Sequence, residues 1–176
     1  MSLSARAADA PPAAPTILVL GDSLSAGYGI RVEQGWVALL QARLRAKGYG
    51  HRVVNASSSG ETTGGALARL PRALATHRPA IVIVELGGND GLRGLPVADI
   101  RRNFEAIIRS SQQAGARVLL VGMKIPPNYG PAYTRDFYGL YGDLARQYKL
   151  PNVPFLLANV AADESLFQED GIHPTA

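Results

Sequence analysis

A serine early in the chain and an aspartate–histidine pair far downstream are the residues with the clearest chemical potential. Ser23 lies three residues after the end of the apolar run of residues 17–20, while Asp170 and His173 are three positions apart. A histidine oriented by a carboxylate can take the proton of a serine hydroxyl, which makes that hydroxyl a nucleophile. In one tight turn, Asp170 can accept Nδ1–H of His173 and leave Nε2 free for Ser23. These residues predict attack on a carbonyl carbon.

Such an attack builds negative charge on the carbonyl oxygen, and two further residues are candidate donors to it. Asn89 follows the apolar run of residues 81–84, and Gly60 lies in a Ser-rich loop. An amide side chain and backbone N–H groups suit this task. Each residue also has a structural interpretation: Gly60 as a turn glycine, Asn89 as a turn residue, and Ser23 as a helix N-cap.

Other acidic and histidine residues offer competing interpretations. Asp22 and Asp90 are rival partners for the histidine, although each can instead bind nearby backbone N–H groups and shape its loop. His51 and His77 lie far from His173 in the sequence, and no His-Glu-x-x-His motif occurs. We therefore predict no metal site and no cofactor.

Short apolar runs alternate with helical patterns, which predicts an α/β fold. We expect a three-layer α/β/α sandwich with a mostly parallel five-stranded sheet, because the runs are continuously apolar. In such sheets the site forms beyond the carboxyl ends of the strands, where Ser23, Gly60 and Asn89 would converge. The predicted strands are residues 17–20, Arg52–Asn55, 80–85, Arg117–Val121 and 153–156.

Apolar spacing also predicts the helices between these strands. Pro71 should begin a second helix within residues 62–77, because proline breaks a helix interior. Three apolar stripes are expected to face the core: Trp36, Leu39, Leu40 and Leu44; Val97, Ile100, Phe104, Ile107, Ile108 and Ser111; and Phe137, Leu140, Tyr141, Leu144 and Tyr148.

Composition sets the remaining limits. The 176 residues are 47% hydrophobic and 18% charged, which is typical of one globular domain. No cysteine is present, so disulfides and thiolate chemistry are excluded. The net charge of +4 comes from scattered basic residues, and we predict no nucleic-acid partner. Residues 1–15 are predicted to be a disordered leader, either a tag or a signal-peptide remnant, and residues 16–176 the single domain.

Four motifs together resemble the SGNH, or GDSL, hydrolase family over residues 17–174. They are Gly-Asp-Ser-Leu at 21–24, Asn-Ala-Ser-Ser-Ser-Gly-Glu-Thr-Thr at 55–63, Gly-Gly-Asn-Asp at 87–90 and Asp-Gly-Ile-His-Pro at 170–174. The resemblance implies a flavodoxin-like fold in which Ser23 is the nucleophile, His173 the base and Asp170 its orienting partner. It also implies an oxyanion hole formed by the N–H groups of Ser23 and Gly60 and the side chain of Asn89.

Four further segments look like those of the bacterial thioesterase, arylesterase and lysophospholipase group within this family: residues 35–40, 66–71, 91–94 and 126–130. That group is typically exported, so a periplasmic or secreted location is expected, with a cytoplasmic one as the open alternative. Family members usually continue past the histidine into a final helix, which we expect to be missing from residues 16–176.

The predicted function is hydrolysis of carboxylic esters and thioesters through an acyl-enzyme. The alternatives are a carbohydrate O-acetyl esterase and a non-catalytic binding module. The expected partner is a small ester or thioester with an acyl chain, with transient contact to a lipid surface, and the protein is expected to be a monomer. Four apolar residues are predicted to line an acyl groove: Leu92, Leu95, Ile125 and Tyr129.

Overall fold

The computed structural model of the protein describes residues 14–176 and contains one five-stranded sheet in that range. The strands are β1 Thr16–Gly21, β2 Arg52–Asn55, β3 Ile81–Glu85, β4 Arg117–Val121 and β5 Asn152–Val153. Every neighbouring pair of strands is parallel, and the spatial order is β2-β1-β3-β4-β5. The predicted α/β sheet is therefore confirmed, and it is parallel throughout.

The α-helices within residues 14–176 are α1 Ser23–Ala26, α2 Trp36–Ala46, α3 Thr63–His77, α4 Gly88–Leu92, α5 Val97–Gln113 and α6 Pro131–Tyr148. Successive side chains of a strand point to opposite faces of the sheet, so a continuously apolar strand needs helices on both faces. On one face Leu18 and Leu20 pack against α3, α5 and α6, while Ile17 and Val19 pack on the other face against α2. The predicted three layers are confirmed.

The apolar stripes predicted for α5 and α6 pack into the core as expected, although Val97 and Tyr148 at their ends are only partly buried. Burying one large apolar side chain contributes about 1.5–3 kcal/mol, so these stripes anchor both helices. The stripe predicted for α2 was wrong at one position. Leu39 is 57% exposed, whereas Trp36, Leu40 and Leu44 pack against the sheet.

The prediction that Pro71 begins a separate helix was wrong, because α3 runs through it without a break. Pro71 is exposed, and the carbonyl of Leu67 that it deprives of a partner is on the same side of the helix. On the opposite face Ala66 and Leu70 are fully buried. Tertiary packing of this face outweighs the unfavourable effect of proline in the helix.

The fifth strand is also shorter than predicted and begins one residue earlier. Only Asn152 and Val153 pair with β4, and the chain then leaves the sheet at Pro154, which has no N–H to donate. The chain crosses closely over Gly122, where an added Cβ would lie 2.9 Å from the carbonyl carbon of Pro154. The apolar residues after Val153 are thereby free to line a different surface.

The strand order explains why the chemically capable residues meet. The chain crosses from β2 at one side of β1 to β3 at the other, so a crevice opens between the carboxyl ends of β1 and β3. Ser23 follows β1 and Asn89 follows β3. Both side chains therefore lie at the crevice.

Most of the predicted leader, residues 1–13, lies outside the described residues. Of its last two residues, Pro15 already accepts a hydrogen bond from the backbone N–H of Arg52 at 3.0 Å. No helix within residues 14–176 is both long enough and apolar enough to cross a membrane.

Candidate active site

A serine, a histidine and an aspartate form one continuous hydrogen-bonded chain at the carboxyl edge of the sheet. Ser23 Oγ lies 2.8 Å from His173 Nε2, and His173 Nδ1 lies 2.6 Å from Asp170 Oδ2. Ser23 is the first residue of α1, so its hydroxyl stands directly above the end of β1. The imidazole can accept the hydroxyl proton while the carboxylate holds the opposite ring nitrogen.

Asp170 is held by the same turn that presents the histidine. Its Oδ1 accepts the backbone N–H groups of Ile172 at 2.9 Å and His173 at 3.0 Å. The hydrogen bond from the His173 backbone is the largest cause that lowers the pKa of Asp170 to about 2, followed by the bond to the His173 ring. The lowered pKa stabilises the folded state above the unfolded value near 3.9, and this contribution is lost only as pH falls towards 2. At working pH the group is a carboxylate.

Residues 167–176, which present His173, contain neither a helix nor an extended strand, yet hydrogen bonds hold this segment at several points. Gln168 N donates to the carbonyl of His173 at 2.8 Å, and the Gln168 side chain donates to the carbonyl of Tyr28 at 2.9 Å. The ring of Tyr28 lies 4.5 Å from the imidazole, centroid to centroid. These contacts fix the imidazole beside the loop that follows α1.

Two backbone N–H groups at the site make no hydrogen bond within the part of the chain that the structure describes. The N–H groups of Ser23 and Gly60 donate to no atom of residues 14–176. Gly60 has a φ of +77°, a conformation that residues with a Cβ rarely adopt, and its carbonyl accepts a hydrogen bond from Arg93 at 3.1 Å. Both N–H groups are available to an anionic oxygen.

The Asn89 amide is fixed by two acceptors. Its Nδ2 donates to the carbonyl of Glu61 at 2.9 Å and to Asp22 Oδ2 at a longer 3.3 Å. The structure therefore brings Asn89 to the loop that contains Gly60 and to the residue before Ser23. The longer bond to Asp22 is the weaker of the two, and an anionic oxygen can compete for that proton.

The two rival carboxylates have structural partners instead of the histidine. Asp22 caps α1, where Oδ1 accepts Leu24 N at 3.0 Å. Asp90 is buried and accepts both the backbone N–H of Thr63 at 2.9 Å and its hydroxyl at 2.6 Å. Neither carboxylate is hydrogen-bonded to the imidazole, since Asp170 occupies its Nδ1 and Ser23 its Nε2.

Asp22 should make the folded state less stable as pH rises. Burial raises its pKa to about 6, so the folded state binds a proton that the unfolded state releases between about pH 4 and 6. Stability due to this group is present at low pH and falls by about 2–3 kcal/mol at most by pH 7. We expect Asp22→Asn, which keeps the cap but not the charge, to make the decline in the free energy of unfolding smaller than in the wild type, as measured by urea unfolding from pH 4 to 7.

The matched control is Asp163→Asn, which changes an exposed aspartate that caps the short turn Glu164–Leu166 in the same way. Its unfolding free energy should follow that of the wild type across the pH range. If Asp22→Asn lowers the free energy of unfolding by the same amount at every pH, the main contribution of Asp22 to stability is the cap on α1 and not the raised pKa caused by burial.

A large apolar cleft of about 1290 Å³ opens beside Ser23 and His173. Of the predicted groove residues, Leu92 and Ile125 line it, whereas Leu95 and Tyr129 do not. The hydroxyl of Tyr129 instead donates to the carbonyl of Leu92 at 2.7 Å and so holds the end of α4, where Leu92 lines the cleft. Sequence reasoning missed most of the wall: Met123, Phe155, Leu156, Leu157, Val160, Phe167 and Ile172.

The apolar run after Val153 was the signal that could have located this wall. It was assigned to a strand, although Pro154 interrupts it. Within residues 14–176 no cluster of three or more His, Cys, Asp or Glu side chains could hold a metal ion.

A nucleophilic hydroxyl, an imidazole and a carboxylate on a three-layer parallel sheet define the class of serine hydrolases. The chain belongs to the GDSL-like lipase/acylhydrolase family, whose model matches residues 19–176. The predicted family is thus confirmed.

Related proteins agree with this assignment. The chain is 52% identical over 162 residues to Esterase TesA of Pseudomonas aeruginosa, covering 92% of this chain and 81% of that protein. It is 43% identical to Thioesterase 1/protease 1/lysophospholipase L1 of Escherichia coli K12, covering 92% and 76% respectively. A crystal structure of TesA superposes with a TM-score of 0.88 at 52% identity, covering 91% of this chain and 89% of that one.

Proposed function

We propose that this protein hydrolyses carboxylic esters and thioesters through an acyl-enzyme formed on Ser23. Ser23 Oγ attacks the carbonyl carbon while His173 Nε2 accepts its proton, and His173 then returns that proton to the leaving alcohol or thiol. Water, deprotonated by the same imidazole, attacks the acyl-enzyme, and His173 returns the proton to Ser23 Oγ as the bond to the acyl group breaks and the acid is released. The observation that supports this most directly is the chain from Ser23 through His173 to Asp170.

The negative charge of the tetrahedral intermediate is stabilised by three donors. They are the free N–H groups of Ser23 and Gly60 and the side-chain amide of Asn89. Because these donors are fixed before the substrate arrives, they require little reorganisation when the charge develops. Asp170 remains ionised and stabilises the imidazolium that forms beside it.

The substrate is an ester or thioester with an extended acyl chain. The cleft supports this, since its walls are mainly aliphatic and aromatic side chains and its volume far exceeds that of an acetyl group. The relatives named above as an esterase and a thioesterase support it as well. A monomeric state, a periplasmic location and transient contact with a lipid surface stay predictions.

The decisive experiment measures kcat/KM for a series of esters of one alcohol whose acyl chains increase in length. Each methylene that enters the cleft contributes up to about 0.8 kcal/mol, which is about fourfold in kcat/KM. We expect kcat/KM to rise from acetyl towards medium chains and then level off. Leu92→Asp or Ile125→Asp should flatten this rise more than it slows acetyl esters.

Leu95→Asp is the matched control, because Leu95 lies outside the cleft and is already partly exposed. It should leave the chain-length profile unchanged. The same series as thioesters tests the second substrate class, and acetylated sugars test the alternative. A profile that is flat or peaks at acetyl would contradict the acyl-chain proposal and favour a carbohydrate O-acetyl esterase.

Asn89→Ala should lower kcat by roughly 10²–10³-fold, the usual loss for one oxyanion donor. KM should change little, because the hydrogen bond strengthens only when charge develops on the oxygen. Steady-state kinetics beside Asn128→Ala, an exposed asparagine outside the cleft, would measure this. A normal kcat with a raised KM would instead make Asn89 a substrate-binding residue.

A further inference from the structure

Glu85 is a fully buried acid directly beneath the site, and none of the steps above uses it. It is the last residue of β3 and pairs in register with Gly21, the residue before Asp22. Its Oε2 accepts the hydroxyl of Ser25 at 2.5 Å and, at 3.4 Å, the N–H of Asp22. Its Oε1 is buried and accepts no hydrogen bond from residues 14–176.

This environment favours a protonated Glu85. A buried carboxylate is costly unless donors satisfy both oxygens, and here one oxygen has none. Burial first, and the negative charge of Asp22 second, raise the pKa of Glu85 well above its ordinary value. The pKa of Asp22 is raised only to about 6, so Asp22 ionises first and the pair retains one proton at neutral pH.

Glu85 Oε2 binds both the hydroxyl of Ser25 and the backbone N–H of Asp22, so the buried acid is tied to the first turn of α1. Asp22 in turn binds the N–H of Leu24 in the first turn of α1 and the amide of Asn89. A continuous path therefore leads from Glu85 to the helix that begins with Ser23 and to an oxyanion donor. The same contacts explain Gly21, where an added Cβ would lie 2.9 Å from Glu85 Oε2 and closer still to Ser25.

We propose that Glu85 is a positioning residue that keeps a proton at working pH and holds Ser25 and the backbone of Asp22 in place. Through Asp22, these contacts align the first turn of α1 and the amide of Asn89. This role rests on the proposed function, since alignment of Asn89 matters only if an oxyanion forms on the Ser23 adduct.

The other ionisable groups that face the pair are Asp90 of α4, His173 and Tyr141 of α6. Asp90 is engaged by Thr63, and the phenol of Tyr141 donates to the carbonyl of Leu86 at 2.9 Å. Burial raises the pKa of Tyr141 well above 10, so it stays neutral and adds no charge. None of the three is hydrogen-bonded to Glu85.

Two substitutions separate positioning from simple packing. Glu85→Gln keeps the shape, the neutrality and an oxygen that can accept from Ser25 and Asp22 N–H, so it should retain kcat within about threefold of wild type. Glu85→Leu keeps the volume but removes that acceptor, and should lower kcat about tenfold or more with KM nearly unchanged. The acidic limb of the pH–kcat profile should keep its midpoint in Glu85→Gln, because no charge near His173 has been removed.

The proton itself can be observed by infrared difference spectroscopy of wild type against Glu85→Gln at neutral pH. We expect the substitution to remove a protonated-carboxyl band, whereas Glu33→Gln, at an exposed site, should remove only a carboxylate band. This measurement needs no turnover and remains valid if Glu85→Leu fails to fold.

Three results would overturn the proposal: no protonated-carboxyl band lost, a Glu85→Leu enzyme with wild-type kcat, or a downward shift of the acidic limb by about one pH unit in Glu85→Gln. The last would mean that Glu85 is ionised and supports the imidazolium directly. Because the infrared result is independent of catalysis, failure of the Ser23 mechanism and failure of the Glu85 proposal are distinguishable.

Discussion

Ser23→Ala should abolish hydrolysis of every ester and thioester substrate, with a loss in kcat on the order of 10⁴–10⁶-fold. The alanine side chain has no oxygen to form the acyl-enzyme, and His173 then has no hydroxyl to deprotonate. The remaining turnover would come from binding and the oxyanion donors alone. The fold should be unaffected, because the capping bond at the start of α1 is made by Asp22 and not by Ser23.

Labelling with a fluorophosphonate probe, followed by peptide mass mapping, measures this prediction directly. The probe should modify wild-type Ser23 and leave Ser23→Ala unlabelled. Ser59→Ala is the matched control, because Ser59 also lines the cleft but is not hydrogen-bonded to the imidazole. Labelling at another serine, or substantial turnover by Ser23→Ala, would refute the assignment.

The second large effect is expected from Asp170→Asn, which should lower kcat on the order of 10⁴-fold. The asparagine is nearly isosteric with aspartate but has no charge to stabilise the imidazolium. Its amide can also donate to Nδ1, which would favour the tautomer with a proton on Nε2. In that tautomer His173 cannot accept the proton of Ser23. Steady-state kinetics of the variant beside the wild type would measure the loss.

Asp22→Asn provides the comparison that tests the choice of carboxylate. Asp22 lies beside Ser23 in the sequence but contacts Leu24 and Asn89, not the imidazole, so its replacement should reduce kcat far less. If Asp22→Asn proved the more damaging change, Asp170 would be only the residue that shapes the turn.

The fold and the convergence of the candidate catalytic residues could be predicted from the sequence because each depends on local signals. Continuous apolar runs identified the strands, and the residues directly after them lie at the carboxyl edge of a parallel sheet by geometry alone. Asp170 and His173 share one turn, so their spacing of three residues already implied their contact. Ser23 and Asn89 needed only the strand order to come together.

Most of the cleft wall and the role of the buried acid could not be predicted, since both depend on distant parts of the chain. The wall formed by Phe155 and Leu156 arises where β5 ends after two residues, which a run of apolar letters does not reveal. Glu85 was assigned to a strand end with no role, because its partners Ser25 and Asp22 lie about 60 positions earlier. Pro71 shows the opposite error, in which a strong local rule was overridden by packing.

Ser23 and His173 are 150 residues apart in the sequence, so a cut in the chain can remove one without the other. All five strands end by Val153, whereas the imidazole and its carboxylate come from the segment that follows them. A chain cut between residues 154 and 169 would retain every strand and Ser23 but lose Asp170 and His173. We expect such a chain to be inactive on esters and thioesters, because nothing is left to accept the proton of Ser23.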